Sequence, residues 1–177
     1  MNWYERAMAH EMINGTAWKP FVYRTLLPTT VRITTAILPE QIQTEISNTV
    51  ANTEWLKVGF SKFKWETEFS TEYFIACFFM LASLIAFAFA FRYLMRTIFS
   101  SPDWFSNLFT IVVLLGLPAT FQYYSYLYDF STLFLFTLGL ILMYKQKWNL
   151  YLLLYFFACI NKETTILLTM IFGIYFF

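Results

Sequence analysis

The sequence predicts an all-α fold: a polytopic bundle of transmembrane helices preceded by a polar, interfacial helical segment. Three observations predict it. The 177 residues are 59% hydrophobic and 23% aromatic with only 13% charged, a balance that soluble domains rarely reach. The last stretch, Asn149 to Phe177, is almost unbroken Leu, Ile, Phe and Tyr, interrupted once by Asn161-Lys162-Glu163-Thr164; a helix needs about 20 apolar residues to cross roughly 30 Å of hydrocarbon. Three more apolar runs lie upstream, separated by short basic or proline-bearing connections.

Residues 1–72 form the polar segment, with seven Lys or Arg against eight Glu. Met1 to Met12 carries Glu5, Arg6, His10 and Glu11 and no apolar core, so no cleavable signal peptide is expected in this stretch. Between Trp18 and Pro28 two prolines interrupt regular structure around Tyr23 and Arg24, so a loop is expected to lead into a helix near Pro28. From Pro39, a favourable first helical residue, Ile42, Ile46 and Val50 recur every fourth position and predict a surface helix with a narrow apolar face. Trp55 to Phe69 alternates aromatic residues with Lys57, Lys62 and Lys64, as expected of a segment lying in the headgroup layer.

Residues 73–177 form the bundle. The first span is expected from Tyr73 to about Phe91, closed by Arg92 and Arg96. Ser101-Pro102-Asp103 reads as an N-cap, a first-position proline and an acid on the positive helix end. It opens a second span, about 104–121, in which Pro118 is tolerable near the end. A third covers about 130–144 and ends at Lys145 and Lys147, and a fourth covers 149–177 with a polar break at 161–164. Basic residues between spans one and two, and between three and four, put those loops in the cytoplasm. Residues 1–72 and the loop from Tyr123 to Asp129 are then outside.

Depth supplies the main convergence. Asp129 lies sixteen residues before Lys145 and Glu163 sixteen after Lys147, so each is about 24 Å above the cytoplasmic boundary. Lys162 and Glu163 are adjacent and cannot face each other on a helix, so each needs a partner from elsewhere. A charge at mid-membrane costs about 2.5–3.5 kcal/mol and marks a functional site by default. Asp129, Lys162 and Glu163 are expected to line one cavity opening outward, roofed by the polar segment with its Arg24.

Other features carry less. Tyr123, Tyr124, Tyr126 and Tyr128 suit an aromatic belt as well as a sugar-stacking surface. Glu66 and Glu68 have the spacing of a metal-binding acid pair but precede a span, where glutamates are usually only solvated, and no metal site is assigned. Asn14-Gly15-Thr16 fits a glycosylation acceptor for a lumenal segment. Cys77 and Cys159 fall in apolar runs and read as small buried hydrophobes. Net charge near +1 with scattered basic residues excludes nucleic acid as a partner. No Gly-rich phosphate loop, paired cysteines or serine-nucleophile motif supports soluble enzyme chemistry, and no cofactor is indicated.

At Pro20-Phe-Val-Tyr23-Arg24-Thr-Leu-Leu-Pro28, at Tyr128-Asp129 and at Asn161-Lys162-Glu163-Thr164, the chain resembles a large group of bacterial membrane proteins related to GT-C glycosyltransferases. The resemblance implies transfer of a sugar from a polyprenyl-phosphate donor at the outer face of the inner membrane. On that basis Arg24 and Lys162 would hold the donor phosphate, beside Tyr23 and Tyr128, and Asp129 or Glu163 would orient an acceptor hydroxyl or take its proton. The family's base sits in its first outer loop, which leaves Glu5 and Glu11 as candidates here. The family has more spans than these four, and the chain breaks off within an apolar run at Phe177, so a piece of a longer protein is expected. The implied partners are membrane lipid, the lipid-linked donor and further membrane helices. A transporter or ion-pathway component, and a non-catalytic membrane subunit, are the rival readings.

Overall fold

The computed structural model describes residues 7–120 and 126–176, which are mostly helical, with no strand among them. The fold is all-α. It divides into two compact units, residues 7–79 with 126–127 and residues 80–120 with 128–176.

The first unit starts with a short helix, α1 (Ala9–Asn14), which ends at Gly15 in the left-handed conformation, φ 76°. The turn needs that geometry and glycine supplies it without strain. A 3-10 turn, Phe21–Tyr23, leads to α2 (Leu26–Ile37). Pro28 sits in its first turn, where the missing N–H would have had no intrahelical acceptor. Pro39 then breaks the chain before α3 (Glu40–Asn52). Gln43 of α3 donates to the Thr35 and Leu38 carbonyls, closing groups that the end of α2 leaves open. Of the predicted apolar face, Val50 is fully buried and Ile42 is exposed.

Next comes α4 (Glu54–Lys62), followed by a 3-10 turn, Thr67–Phe69. The aromatic residues here divide. Trp55 and Val58 stay exposed, but Phe60 and Trp65 turn inward onto Tyr73, Trp65 stacking on it with ring centroids 4.6 Å apart. Together with Ala9 and Val50 they form this unit's core. Alternation along the sequence could not separate inward from outward positions, because α4 is a helix with a 3.6-residue period.

The long helix α5 (Ser70–Phe99) starts in the first unit and continues in the second. Its 30 residues rise about 45 Å, so Arg92 and Arg96 lie within it and do not close it. It ends where Ser100 takes a positive φ of 49°. The next helix, α6 (Asp103–Thr120), begins at Asp103, whose carboxylate accepts from Arg96 at 3.0 Å and Arg92 at 3.5 Å. The expected cap differs in detail: the Ser101 hydroxyl bonds Ser106 Oγ and the Met95 carbonyl.

Two helices pack antiparallel in α7 (Asp129–Tyr144) and α8 (Trp148–Asn161), joined by a tight turn in which Gln146 has φ 54° and Lys147 N–H donates to the Leu142 carbonyl. The chain beyond Asn161 departs from one continuous span. A 3-10 turn, Glu163–Ile166, reverses it, and α9 (Leu167–Phe176) runs back along α8. The pairings advance in opposite directions: Thr165 Oγ1 donates to the Ala158 carbonyl, Thr169 Oγ1 to Tyr155 Oη, Tyr151 Oη to the Leu168 carbonyl, and Trp148 meets the Phe172 and Phe176 rings. Buried Ala90, Leu94 and Ile141 join α5 to α7, and Met143, Tyr151 and Leu168 join α7, α8 and α9.

Among the described residues, α5 with its preceding turn, Thr67–Phe99, is the helix long and apolar enough to cross a membrane. The other helices of the second unit are apolar but shorter, interrupted by the polar turns at Ser100 to Pro102, Lys145 to Lys147 and Asn161 to Thr165. Cys77 and Cys159 are exposed, which corrects the expectation of burial; the apolar runs that hold them turn much of their surface outward.

Candidate functional site

The polar break and the start of α7 meet at one point of the second unit. Asp129 is the first residue of α7, where unpaired backbone amides favour a carboxylate. Its side chain is 6% exposed, and its Oδ1 accepts from Lys162 Nζ at 3.0 Å. Lys162 lies between α8 and the 3-10 turn in extended conformation, φ −161° and ψ 136°. That leaves its side chain free of the helix and able to reach across to α7. The ammonium is 22% exposed and also lies 5.0 Å from the centre of the Tyr128 ring, a favourable place for a cation.

Beneath the ion pair is a network that sequence reasoning did not assign. Asn161, the last residue of α8 and 1% exposed, donates through Nδ2 to Thr132 Oγ1 at 2.8 Å and to the Tyr128 carbonyl at 3.3 Å. Its Oδ1 faces the Ser131 hydroxyl at 2.9 Å, and the Ser131 and Thr132 hydroxyls also reach the Tyr128 carbonyl. These bonds tie the N-terminus of α7 to the C-terminus of α8 with the polar atoms satisfied, the condition under which a buried network fixes one geometry. The signal was present: Asn161 interrupts an apolar run at the level of Ser131 and Thr132.

The other candidates are placed as follows. Tyr128 is fully buried. Glu163 opens the 3-10 turn beside Lys162 and is exposed. Tyr23, Arg24 and Glu11 belong to the first unit. There Arg24 Cζ lies 5.3 Å from the Phe21 ring centre, Phe21 stacks on Tyr126 at 5.3 Å, and Tyr23 is exposed under Lys19 Nζ at 6.0 Å. Glu11 is half-buried on α1, with Oε2 shut off from solvent and no hydrogen-bond partner among the described residues. His10 beside it stacks on Phe69 at 5.0 Å and faces Tyr73 Oη at 3.3 Å. Glu5, Tyr123 and Tyr124 lie outside the described residues. No group of three His, Cys, Asp or Glu that could hold a metal occurs among the described residues.

What the arrangement can do follows from its parts. A carboxylate paired with a part-exposed ammonium where α7 begins is a site where an anion can compete with the carboxylate for the lysine. Comparison with protein-family models, with curated proteins and with solved structures finds no match.

Proposed function

We propose that the chain belongs to a polytopic bacterial inner-membrane protein, its first segment outside, that transfers a sugar from a polyprenyl-phosphate donor at the outer face. The membrane part of this reading rests on exposed apolar side chains. On α5, Phe78, Leu81, Ile85 and Phe89 follow one another along the helix, all exposed, and only 22% of the helix's most apolar window is buried. In water each such side chain would forgo about 1.5–3 kcal/mol of burial; against lipid it forgoes little. The shorter helices α7 and α8 fit a layer that thins locally or is entered by a hairpin.

The observation that carries the transferase reading is the 3.0 Å contact between Asp129 and Lys162, 33 residues apart, which unites two of the three motifs of the resemblance. In this mechanism the donor phosphate takes Lys162, a cation suited to phosphate oxygens, and Asp129 gives up its contact with the ammonium. The acceptor oxygen bonds to the anomeric carbon as the bond from that carbon to the phosphate oxygen breaks. Asp129 takes the hydroxyl proton, and polyprenyl phosphate leaves with its added negative charge on Lys162. Glu163, exposed on the adjoining turn, orients the acceptor.

The test is release of polyprenyl phosphate from labelled polyprenyl-phosphate hexoses in proteoliposomes. Asp129→Asn is expected to slow release by about 100-fold or more, the usual contribution of a positioned base, with Glu163→Gln giving a smaller loss. Equal rates in Asp129→Asn and the parent would remove the mechanism. The reversal of the chain at Glu163–Ile166 favours one second reading, a polar pathway built on a broken membrane helix. Ion-dependent uptake into the same vesicles without sugar transfer would establish it.

A further inference from the structure

A different part of the second unit combines a groove with charge. Between α8 and α9 a cavity of about 390 Å³ is lined by Trp148, Tyr151, Leu152, Tyr155, Thr169 and Phe172. Its polar groups are turned on each other or the backbone: Thr169 Oγ1 donates to Tyr155 Oη, and Tyr151 Oη to the Leu168 carbonyl. What remains is an aromatic and aliphatic wall. Trp148 also borders a second, shallower depression of about 340 Å³ that contains Lys147, Gln146 and Asn149. One residue thus separates an apolar groove from a basic, hydrogen-bonding dish.

The charge around this end is one-sided. Lys147 is exposed and makes no ion pair among the described residues. Lys145 lies 4.6 Å from the centre of the Tyr93 ring and bonds its hydroxyl, which sets the turn beside the last turns of α5. Those turns carry Arg92 and Arg96, with Asp103 as the acid between them. Four basic side chains and one acidic one leave an excess of positive charge beside an apolar groove.

We propose that this end of the second unit binds one anionic membrane phospholipid, its acyl chain in the α8–α9 groove and its phosphate at Lys147. The inference rests on the membrane part of the proposed function and not on sugar transfer. The site lies at the opposite end of α8 from Lys162, about 21 Å away by helix rise. Charge complementarity selects the occupant: an apolar helix from another protein would fill the groove but leave Lys147 unmatched, whereas a phosphate headgroup satisfies both parts.

The experiment places the full chain in nanodiscs doped with brominated phosphatidylglycerol or brominated phosphatidylcholine at equal mole fraction. Quenching of Trp148 is read as the difference between the parent and Trp148→Phe. Phosphatidylglycerol is expected to quench Trp148 more strongly than phosphatidylcholine. Lys147→Gln is expected to weaken that preference by about fivefold, the factor one lysine supplies near an anionic surface, and Lys147→Arg to keep it. Native mass spectrometry gives a readout that leaves Trp148 intact: one retained phosphatidylglycerol in the parent, lost in Lys147→Gln. Equal quenching by both lipids would overturn the anionic site. Quenching of other tryptophans but not Trp148 would mean that protein covers the groove, again overturning the site while leaving the membrane reading standing. No quenching of any tryptophan would sink the membrane reading itself.

Discussion

Lys162→Met is expected to lower the stability of the second unit by about 2 kcal/mol, the worth of a charge-assisted hydrogen bond to a carboxylate that is 6% exposed. The reciprocal change is milder. With Asp129→Asn the lysine keeps the Tyr128 ring and, at 22% exposure, its access to solvent, so the loss is about 1 kcal/mol, that of a solvated ion pair. The asymmetry comes from burial: 6% exposure for the acid against 22% for the base. Thermal unfolding of the purified chain in detergent reads both variants, and the double change Asp129→Asn with Lys162→Met is expected to recover most of the loss. Equal costs for the two single changes would show that the carboxylate is not the group that depends on its partner. The same comparison separates folding from chemistry, since Asp129→Asn is expected to keep the fold and lose transfer.

Gly139→Leu is expected to detach α9 and cost more than about 3 kcal/mol, beyond the usual range for overpacking. A Cβ at Gly139 would stand 2.7 Å from Leu168 Cδ1 and 3.4 Å from Leu154 Cδ2. Leu168 is fully buried and cannot swing aside into open space. Gly139 is therefore where α7 lets α8 and α9 approach together, the use of small residues at close helix contacts. Even Gly139→Ala must move a walled-in side chain, an overpacking loss of about 1–3 kcal/mol against a helix-propensity gain of about 1. Gly173 is the control: a Cβ there meets nothing within 4 Å, and Gly173→Ala is expected to stabilise α9 by about 0.5–1 kcal/mol. Tolerance of Gly139→Leu, read by the same unfolding measurement, would mean the three helices do not meet at this position.

The parts legible in the sequence were those set by composition and by counting. Asp129 and the Asn161 to Thr164 break stand out because they interrupt apolar runs, and helix rise puts them at one level; the 3.0 Å contact follows that level. The direction of the chain after the break was not legible. Leu167 to Phe176 is apolar on every side, so no stripe says whether the helix continues or returns. The return depends on contacts distant in sequence, Leu168 against Gly139 and Phe176 against Trp148. Helix ends were misplaced for a similar reason: Arg92 and Arg96 end the apolar run but not the helix, since arginine is a good helix former. In the first unit, Phe60 and Trp65 could be told from Trp55 only by the packing of Tyr73 against them.

The fold-back of α9 changes the parity of the chain. A single fourth crossing would deliver the residues after it to the compartment opposite Lys147, whereas a hairpin that dips in and comes out restores them to the side it left. On the membrane reading, a reporter enzyme fused after Tyr175 and one inserted at Gln146 therefore sense the same compartment, and anything attached beyond α9 shares its surroundings with the lysines of the α7–α8 turn.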